Sequence, residues 1–415
     1  MKVIFAISLL AFGLPIFILL AALAIFFFLS EPSEWATNFD LISTISDSAY
    51  RIVVSPTLAA IPIFTLAGYL LAESNISERL LHFFKSCLGW IPGSTVLIVV
   101  LLCAFFTALT GGSGVTILAL GAILYPILIE DGYSKKFSLG LITTAGSIGL
   151  LFPPSLPAII YSVTAGINPL DLFKQGFLPA VFLLLVVFVY GLQSKSFSSN
   201  KHTFNLKSAV KSIKEASWEI IIPILIIASL FSGFATLVEC AALLVFYVLL
   251  VEVVIYKDIT FKEIPKIIIN CSTLVGGVLI ILGFAMGFTG YLVDAQVPLK
   301  ILHFVQSSIS SKIIFLLALN ILLLIIGCIM DVFSAIIVVV PLIAPLASYF
   351  GIDPIHLAII FIANLELGYI TPPVGMNLYL SSYRFEKDMP TIYAATLPFF
   401  FIRLIGVLMI TYIPL

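Results

Sequence analysis

The sequence predicts an all-α membrane protein that crosses the bilayer many times. Of its 415 residues, 61% are hydrophobic and 10% are charged, and the mean hydropathy is +1.22. A soluble protein of this length cannot bury so much apolar surface. Two long apolar stretches are interrupted by proline pairs, at Pro153-Pro154 and Pro372-Pro373. Because proline removes a helical hydrogen bond and restricts the residue before it, each pair predicts a broken transmembrane helix.

The two breaks belong to an internal repeat. A shift of 219 residues aligns glycines and prolines of the two halves without a gap: Pro126 with Pro345, Gly132 with Gly351, Gly149 with Gly368, Pro153 with Pro372 and Pro154 with Pro373. Open backbone inside a bilayer is tolerated only where protein or a water-filled cavity satisfies it. Matching breaks in two halves of a membrane protein therefore predict a binding site.

A pair of short apolar pieces precedes each break. Residues 94–129 are divided at Thr110–Gly114, and residues 312–347 are divided at 327–331. Each piece of the first pair has about 15 residues, whereas a full span needs roughly 20. Three glycines in five residues favour a turn. We predict two re-entrant helical hairpins; the alternative for the first is one long span with a flexible middle.

The remaining apolar segments predict ordinary spans, the first of them a retained span over Val3–Leu29 that is too long for a signal peptide. The predicted organisation is 1–93, N-terminal scaffold spans; 94–176, first transport repeat; 177–311, scaffold and connecting spans; 312–382, second transport repeat; and 383–415, C-terminal span.

Charge in the loops predicts the orientation. The stretch 193–217 carries five lysines, which places it in the cytoplasm, and the acidic segment 30–50 then falls outside. Alternation makes the first hairpin enter from the cytoplasm and the second from the external face. The fold class is therefore an inverted repeat with two hairpins and two broken helices, the architecture of secondary transporters.

A broken helix exposes carbonyl groups that suit a hard cation such as Na⁺, and N–H groups that suit an anion. We predict two Na⁺ sites, each between a hairpin tip and a break. The first comprises Thr110, Ser113, Gly149, Phe152 and Pro154, and the second comprises Gly327, Gly368, Thr371 and Val374. The alternative is that the proline pairs only kink the spans and the hydroxyls bond back to their own helices.

An anionic substrate needs donors between the two tips, because an unpaired charge in the membrane is very costly. Arg51, Arg384 and Arg403 are placed towards span ends, so helix N-termini and polar side chains must supply these donors. Substrate contacts are predicted at Ser155 and Asn377. Asp331, near the second tip, is the strongest functional candidate among the predicted buried charges and is also assigned to the substrate site. Glu239 and Glu366 are left open between a functional and a structural role.

Several classes of protein are disfavoured. The net charge of −1 suggests no nucleic-acid partner. There is no P-loop motif, and the five cysteines and four histidines show no metal-ligand spacing, so neither ATP nor an organic cofactor is indicated. An intramembrane enzyme would need a catalytic pair on facing spans, which the sequence does not offer, and a purely structural scaffold would not need two broken helices.

The chain resembles the large membrane subunit of TRAP (tripartite ATP-independent periplasmic) transporters. The resemblance covers nearly the whole chain. It rests on TALTGGSGVT (107–116), EDGYSKKFSLGLITTAGSIGLLFPPSLPAIIY (130–161), VECAALL (238–244), GCIMDVFSAIIVVVPLIAPLASYFGIDP (327–354) and NLELGYITPPVGMNLYLSS (364–382). The first tip reads TGGSG where the family commonly has an SGSS-like sequence, and Thr110 keeps a hydroxyl there.

The resemblance implies a subunit of a bacterial inner-membrane importer of organic acids, carboxylates such as sialic acid or C4-dicarboxylates. It implies Na⁺ coupling, elevator motion of the hairpin domain, and two partners: a small four-helix membrane subunit, expected as a separate polypeptide, and a periplasmic substrate-binding protein. The alternative is a free-standing Na⁺- or H⁺-coupled carboxylate carrier with the same hairpins, which would accumulate substrate without any soluble protein.

Overall fold

The computed structural model describes residues 16–30, 43, 46–47, 50, 54–193, 205–233, 235–309 and 311–413, whose regular structure is helical throughout. Seven helices in these ranges are long and apolar enough to cross a membrane, or nine if each of two bent helix pairs counts as one span. The predicted all-α, multi-pass fold is confirmed. The start of the predicted first span, most of the acidic segment 30–50, and Lys195 and Lys201 lie outside the described residues.

In the N-terminal part, a first helix packs on the long helix Ile264–Asp294. A second helix meets a third at a bend of 74°. The third helix is amphipathic, which fits a position along the membrane surface rather than across it. These helices are α1 (Ile16–Ser30), α2 (Pro56–Glu73) and α3 (Ile76–Leu88).

The first transport repeat begins with a hairpin and continues with a helix broken by a 3₁₀ turn at Ile148–Leu151. The two parts of this broken helix are bent by 44°. The helices are α4 (Ser94–Thr110), α5 (Ser113–Glu130), α6 (Lys135–Ala145), α7 (Leu156–Ala165) and α8 (Pro169–Gln193). The predicted boundary between 176 and 177 falls within α8.

Connecting helices follow, and the second repeat closes the chain. The connecting helices are α9 (Leu206–Glu215), α10 (Ser217–Phe231), α11 (Leu237–Leu249, continued by a π-helical turn at Leu250–Ile255), α12 (Ile264–Asp294) and α13 (Val297–Ser308). The second repeat comprises α14 (Lys312–Ile329), α15 (Val332–Tyr349), α16 (Pro354–Gly368), α17 (Met376–Phe385) and α18 (Met389–Tyr412). It therefore includes the predicted C-terminal span, and the predicted boundary between 382 and 383 falls within α17.

The helices of the two repeats correspond one to one at the 219-residue shift, from α4 with α14 through α8 with α18. Their contacts are reciprocal as well. Helix α5 packs on α17 while α15 packs on α7, and α6 packs on α18 while α8 packs on α16. Reciprocal contacts of this kind are those of two units related by a two-fold axis. The internal repeat is therefore visible in both the helix boundaries and the packing.

A buried charge cluster fastens α3 to the connecting helices. The Arg79 guanidinium donates to Glu219 on α10, to Glu252 in the π-helical turn at 3.1 Å and to Asp258 at 2.7 Å. The side chains of Glu219 and Glu252 are fully buried. Buried carboxylates need such a partner, so the cluster ties three separate elements to one guanidinium. No motif in the sequence predicts this group, since Arg79 lies 140 to 179 positions from its partners.

Candidate functional site

The first hairpin tip lies against the first break. The Thr107 hydroxyl is 2.7 Å from that of Thr116 on the other arm, a closeness that only a chain reversal between them allows. Gly111 provides the reversal with a φ of 68°, the left-handed conformation that glycine adopts readily at a helix end. Thr107 also donates to the carbonyl of Gly146 at 2.6 Å. The chain therefore forms a helical hairpin there, and not one long helix.

Gly149 and Gly368 bring each break into backbone contact with its hairpin. A Cβ atom on Gly149 would lie 2.3 Å from the carbonyl oxygen of Ala104, and one on Gly368 would lie 2.6 Å from backbone atoms of Gly327. Real Cβ contacts are never so short, so only glycine permits either approach. The carbonyls of Gly149 and Gly368 accept equivalent turn hydrogen bonds, from the N–H groups of Phe152 at 3.1 Å and Thr371 at 2.9 Å.

The two threonines predicted to bind Na⁺ donate to their own helices. Thr110 Oγ1 bonds to the carbonyl of Phe106 and Thr371 Oγ1 to that of Leu367, both at 2.8 Å. This is the back-bonding that the alternative interpretation describes. Donation uses the hydroxyl hydrogen and leaves oxygen lone pairs that can coordinate a cation. The Na⁺ role of both residues stays a prediction.

The other predicted Na⁺ ligands differ in exposure between the two repeats. Around the first break Ser113, Gly149 and Pro154 are buried and Phe152 is half-buried. At the second break Gly327 and Gly368 are buried, while Val374 is exposed. An apolar cavity of about 200 Å³ adjoins Phe152 and Pro153, and one of about 180 Å³ adjoins Thr371 and Pro372. The two junctions are thus equivalent in backbone and unequal in surroundings.

Asn377 joins the two repeats at the first tip. Its Oδ1 accepts from the Ser113 hydroxyl at 2.7 Å, and its Nδ2 donates to the carbonyl of Thr143 at 3.2 Å. Ser113 belongs to the first repeat and Asn377 to the second, and both are fully buried. The predicted Na⁺ ligand and the predicted substrate ligand therefore belong to one hydrogen-bonded group.

The other two predicted substrate residues cap helices. Ser155 accepts from the N–H of Ala158 at 3.3 Å at the start of α7 and donates to the carbonyl of Leu150. The Asp331 carboxylate accepts from the N–H groups of Phe333 at 3.0 Å and Ser334 at 3.1 Å at the start of α15. A carboxylate at this helix end already occupies the favoured anion position. Its charge suits a nearby cation better than an anionic substrate.

Arg403 corrects one prediction. It is not at a span end: α18 runs from Met389 to Tyr412, so Arg403 lies within it, and it is fully buried. Its guanidinium donates to the Glu366 carboxylate at 2.5 Å and to the Ser147 hydroxyl at 2.9 Å. This pair gives Glu366 a structural partner. Since its charge is matched by Glu366, Arg403 offers no free positive charge to a substrate.

Ser147 and Glu366 are repeat equivalents and touch each other, because the Ser147 hydroxyl lies 3.4 Å from the carbonyl oxygen of Glu366, 219 positions away. A contact between equivalent positions places both residues at the axis that relates the two repeats. Arg403 has no counterpart, since the matching residue is Leu184. The guanidinium thus contacts one residue of each repeat, Ser147 just before the first break and Glu366 just before the second.

Glu239 was also misplaced as a buried charge. It is exposed and forms a capping box with Thr236 at the start of α11, in which Thr236 N–H donates to its carboxylate at 2.7 Å. The sequence signal was available, because Thr236 and Glu239 have the Thr-x-x-Glu spacing of that motif.

The predicted site residues did not include four polar residues of the first repeat: Thr107, Thr143, Thr144 and Ser147. Thr144 has a buried hydroxyl without a hydrogen-bond partner, close to the first break.

Known transport proteins are similar to this chain in sequence. The family model for the tripartite ATP-independent periplasmic transporter, DctM component, matches residues 3–415. The C4-dicarboxylate TRAP transporter large permease protein DctM of Pseudomonas aeruginosa is 33% identical over 360 residues, 86% of this chain and 84% of that protein. The sialic acid TRAP transporter large permease protein SiaM of Vibrio cholerae is 31% identical over 347 residues, 82% of this chain and 81% of that one.

The isethionate TRAP transporter permease protein DctMQ of Oleidesulfovibrio alaskensis is 30% identical over 376 residues, which are 90% of this chain. The match spans only 59% of that longer protein. Among solved structures, the YdaH transporter of Alcanivorax borkumensis shares the fold, with a TM-score of 0.67 at 14% identity over 96% of each chain.

Two equivalent hairpin-and-break units in a multi-pass helical protein define a membrane transport protein of the secondary-transporter class. More narrowly, the chain belongs to the DctM component family of the tripartite ATP-independent periplasmic transporters. It is a multi-pass inner-membrane subunit of a TRAP importer.

Proposed function

We propose that this chain carries an organic acid across the inner membrane by Na⁺ coupling and an elevator motion of the two hairpin repeats. The observation that carries the proposal is the pair of equivalent junctions, in which Gly149 and Gly368 each hold a break against a hairpin. The carbonyl and hydroxyl oxygens at these helix ends are hard ligands suited to Na⁺, and each can accept more than one contact. A carboxylate substrate is supported by relatives whose names give C4-dicarboxylate and sialic acid, and an organic sulfonate by the isethionate relative.

The proposed partners are a small membrane subunit and a periplasmic binding protein that delivers the substrate, as the family name implies. The substrate is proposed to bind between the tips, near Ser155 and Asn377. Because Arg403 is neutralised by Glu366, the donors there are the N-terminal ends of α7 and α17 and polar side chains. Bound Na⁺ next to these ends would offset the charge of the anion and stabilise the tips, which couples the two without ATP.

Sodium activation tests the first part of the proposal. In proteoliposomes that contain the complete transporter, Thr110→Ala combined with Thr371→Ala is expected to raise the Na⁺ concentration for half-maximal uptake roughly tenfold, about 1.4 kcal/mol of lost binding. Thr273→Ala is the matched control, since Thr273 makes the same back-bond, to Ile269 at 2.8 Å, on α12. Unchanged Na⁺ dependence in the double variant, and also in Ser113→Ala, would rule out the two proposed sites.

The substrate site predicts a second effect. Asn377→Ala is expected to raise the substrate concentration for half-maximal uptake about fivefold to tenfold, because one polar contact is typically worth about 1 kcal/mol. Ser381→Ala is the control: Ser381 lies one turn further along α17 and accepts from Thr143 at 2.8 Å. It should lower thermal stability slightly and leave substrate saturation unchanged. Wild-type saturation in both Asn377→Ala and Ser155→Ala would place the substrate elsewhere.

A further inference from the structure

Helix α9 has three distinct sides. Asn205 caps its start by accepting from the N–H of Lys207 at 3.0 Å. Ala209 and Ser212 are buried on one side, and this helix packs against α3. Leu206, Val210 and Ile213 form an apolar stripe that is 67%, 58% and 44% exposed. A third side carries the exposed lysines Lys207, Lys211 and Lys214.

The angular order of these sides is informative. At about 100° per residue, the apolar stripe covers roughly 60° of the helix surface. The lysines lie about 100° away from the stripe, and nearly opposite Ala209 and Ser212. They therefore point away from the protein, while the stripe faces sideways. Glu215 and Ser208, both exposed, lie opposite the stripe. A helix lying flat in a membrane surface has this order: apolar residues inward, lysines at headgroup level and polar residues in water.

The surroundings of α9 place it at the edge of the membrane. One residue separates it from α10, an apolar helix that starts at Ser217 and carries the half-exposed Trp218. Tyr256, at the end of the membrane helix α11, donates to the carbonyl of Glu215 at 2.5 Å. Tryptophan and tyrosine are typical of the membrane–water interface. The exposed Lys257, Lys262 and Lys266 follow Tyr256 in the chain, with the exposed Glu263 among them.

We propose that α9 is a surface anchor that binds anionic phospholipid, with its apolar stripe among the acyl chains and Lys207, Lys211 and Lys214 on the phosphate groups. Charge complementarity indicates that anionic lipid covers this face of α9. The stripe is too short and too exposed for a span. Among the described residues, the one carboxylate paired with the three lysines beside it is that of Glu215, 3.7 Å from Lys211. A zwitterionic bilayer would satisfy the stripe alone, whereas anionic lipid satisfies the stripe and the lysines together.

Quenching of Trp218 by brominated lipid tests the proposal. With Trp35 and Trp90 replaced by phenylalanine, Trp218 is the only tryptophan left of three. In vesicles that contain the full chain, brominated phosphatidylglycerol is expected to quench it more strongly than brominated phosphatidylcholine at equal content. The variant K207Q/K211Q/K214Q should lose this preference, since each lysine contributes roughly a fivefold increase in local anionic lipid binding.

The control variant is K135Q/K136Q/K174Q, which removes three exposed lysines elsewhere and should keep the preference. Because all six lysines are exposed, neither variant should change thermal stability. Equal quenching by the two lipids in the parent protein, or a preference that survives K207Q/K211Q/K214Q, would overturn the proposal. So would protection of Val210→Cys from an aqueous thiol reagent only when the small membrane subunit is present, because that result assigns the surface to a protein.

Discussion

Replacing Arg403 by methionine is expected to destabilise the folded protein by about 3–5 kcal/mol, because the fully buried Glu366 carboxylate loses its positive partner. Methionine preserves most of the volume, so the effect measures charge more than packing. Thermal unfolding of the purified protein in detergent should show the loss as a transition several degrees lower. Arg384→Met removes the same charge from an exposed position and should change stability by less than about 0.5 kcal/mol.

A double variant separates the ion pair from the rest of the site. Glu366→Gln with Arg403→Met removes both charges, and it should recover much of the stability, since a neutral replacement of a buried pair is often close to neutral. Transport should stay impaired in the double variant, because the bond from Arg403 to Ser147 is still missing. Wild-type stability in Arg403→Met alone would show that the guanidinium does not stabilise the centre of the two repeats.

The architecture could be predicted from the sequence because proline and glycine affect the backbone conformation locally. The Pro-Pro pairs located both breaks, and the glycines at 111 and 112 located the first tip. Helix boundaries of the second repeat follow those of the first at the same shift, so one repeat supports the interpretation of the other. Apolar length alone gave the remaining spans. The inverted orientation of the repeats stays a prediction, which external cysteine labelling at positions 40 and 205 would test.

The polar centre could not be predicted, because its partners are far apart in the chain. Arg403 and Ser147 are 256 positions apart, and Asn377 and Ser113 are 264 apart. Arg403 also has an unremarkable place in the sequence, within an apolar segment near the C-terminus, where a guanidinium commonly extends to the interface. Only the packing of α18 against α6 and α8 of the first repeat and against α16 of its own repeat turns it inward. The alignment pairs Ser147 with Glu366, but a sequence repeat does not show which equivalent residues come into contact.

Adding a single methyl group at either junction should have a large effect on sodium coupling. In Gly368→Ala the new Cβ would lie 2.6 Å from two backbone atoms of Gly327, and in Gly149→Ala it would lie 2.3 Å from the Ala104 carbonyl oxygen. Backbone cannot rotate away as a flexible side chain can, so the break and the hairpin must separate. Overpacking of this kind costs about 1–3 kcal/mol.

That separation would move the carbonyl oxygens on which each proposed Na⁺ site depends, so the Na⁺ concentration for half-maximal uptake should rise at least roughly tenfold in each variant. Gly276→Ala is the control, because Gly276 lies inside α12 and a Cβ there would have no neighbour within 4 Å. Alanine should stabilise that helix by up to about 1 kcal/mol and leave Na⁺ dependence unchanged. If Gly149→Ala and Gly368→Ala lowered stability and kept wild-type Na⁺ dependence, the two glycines would serve helix packing alone, and the equivalence of the junctions would not reflect two cation sites.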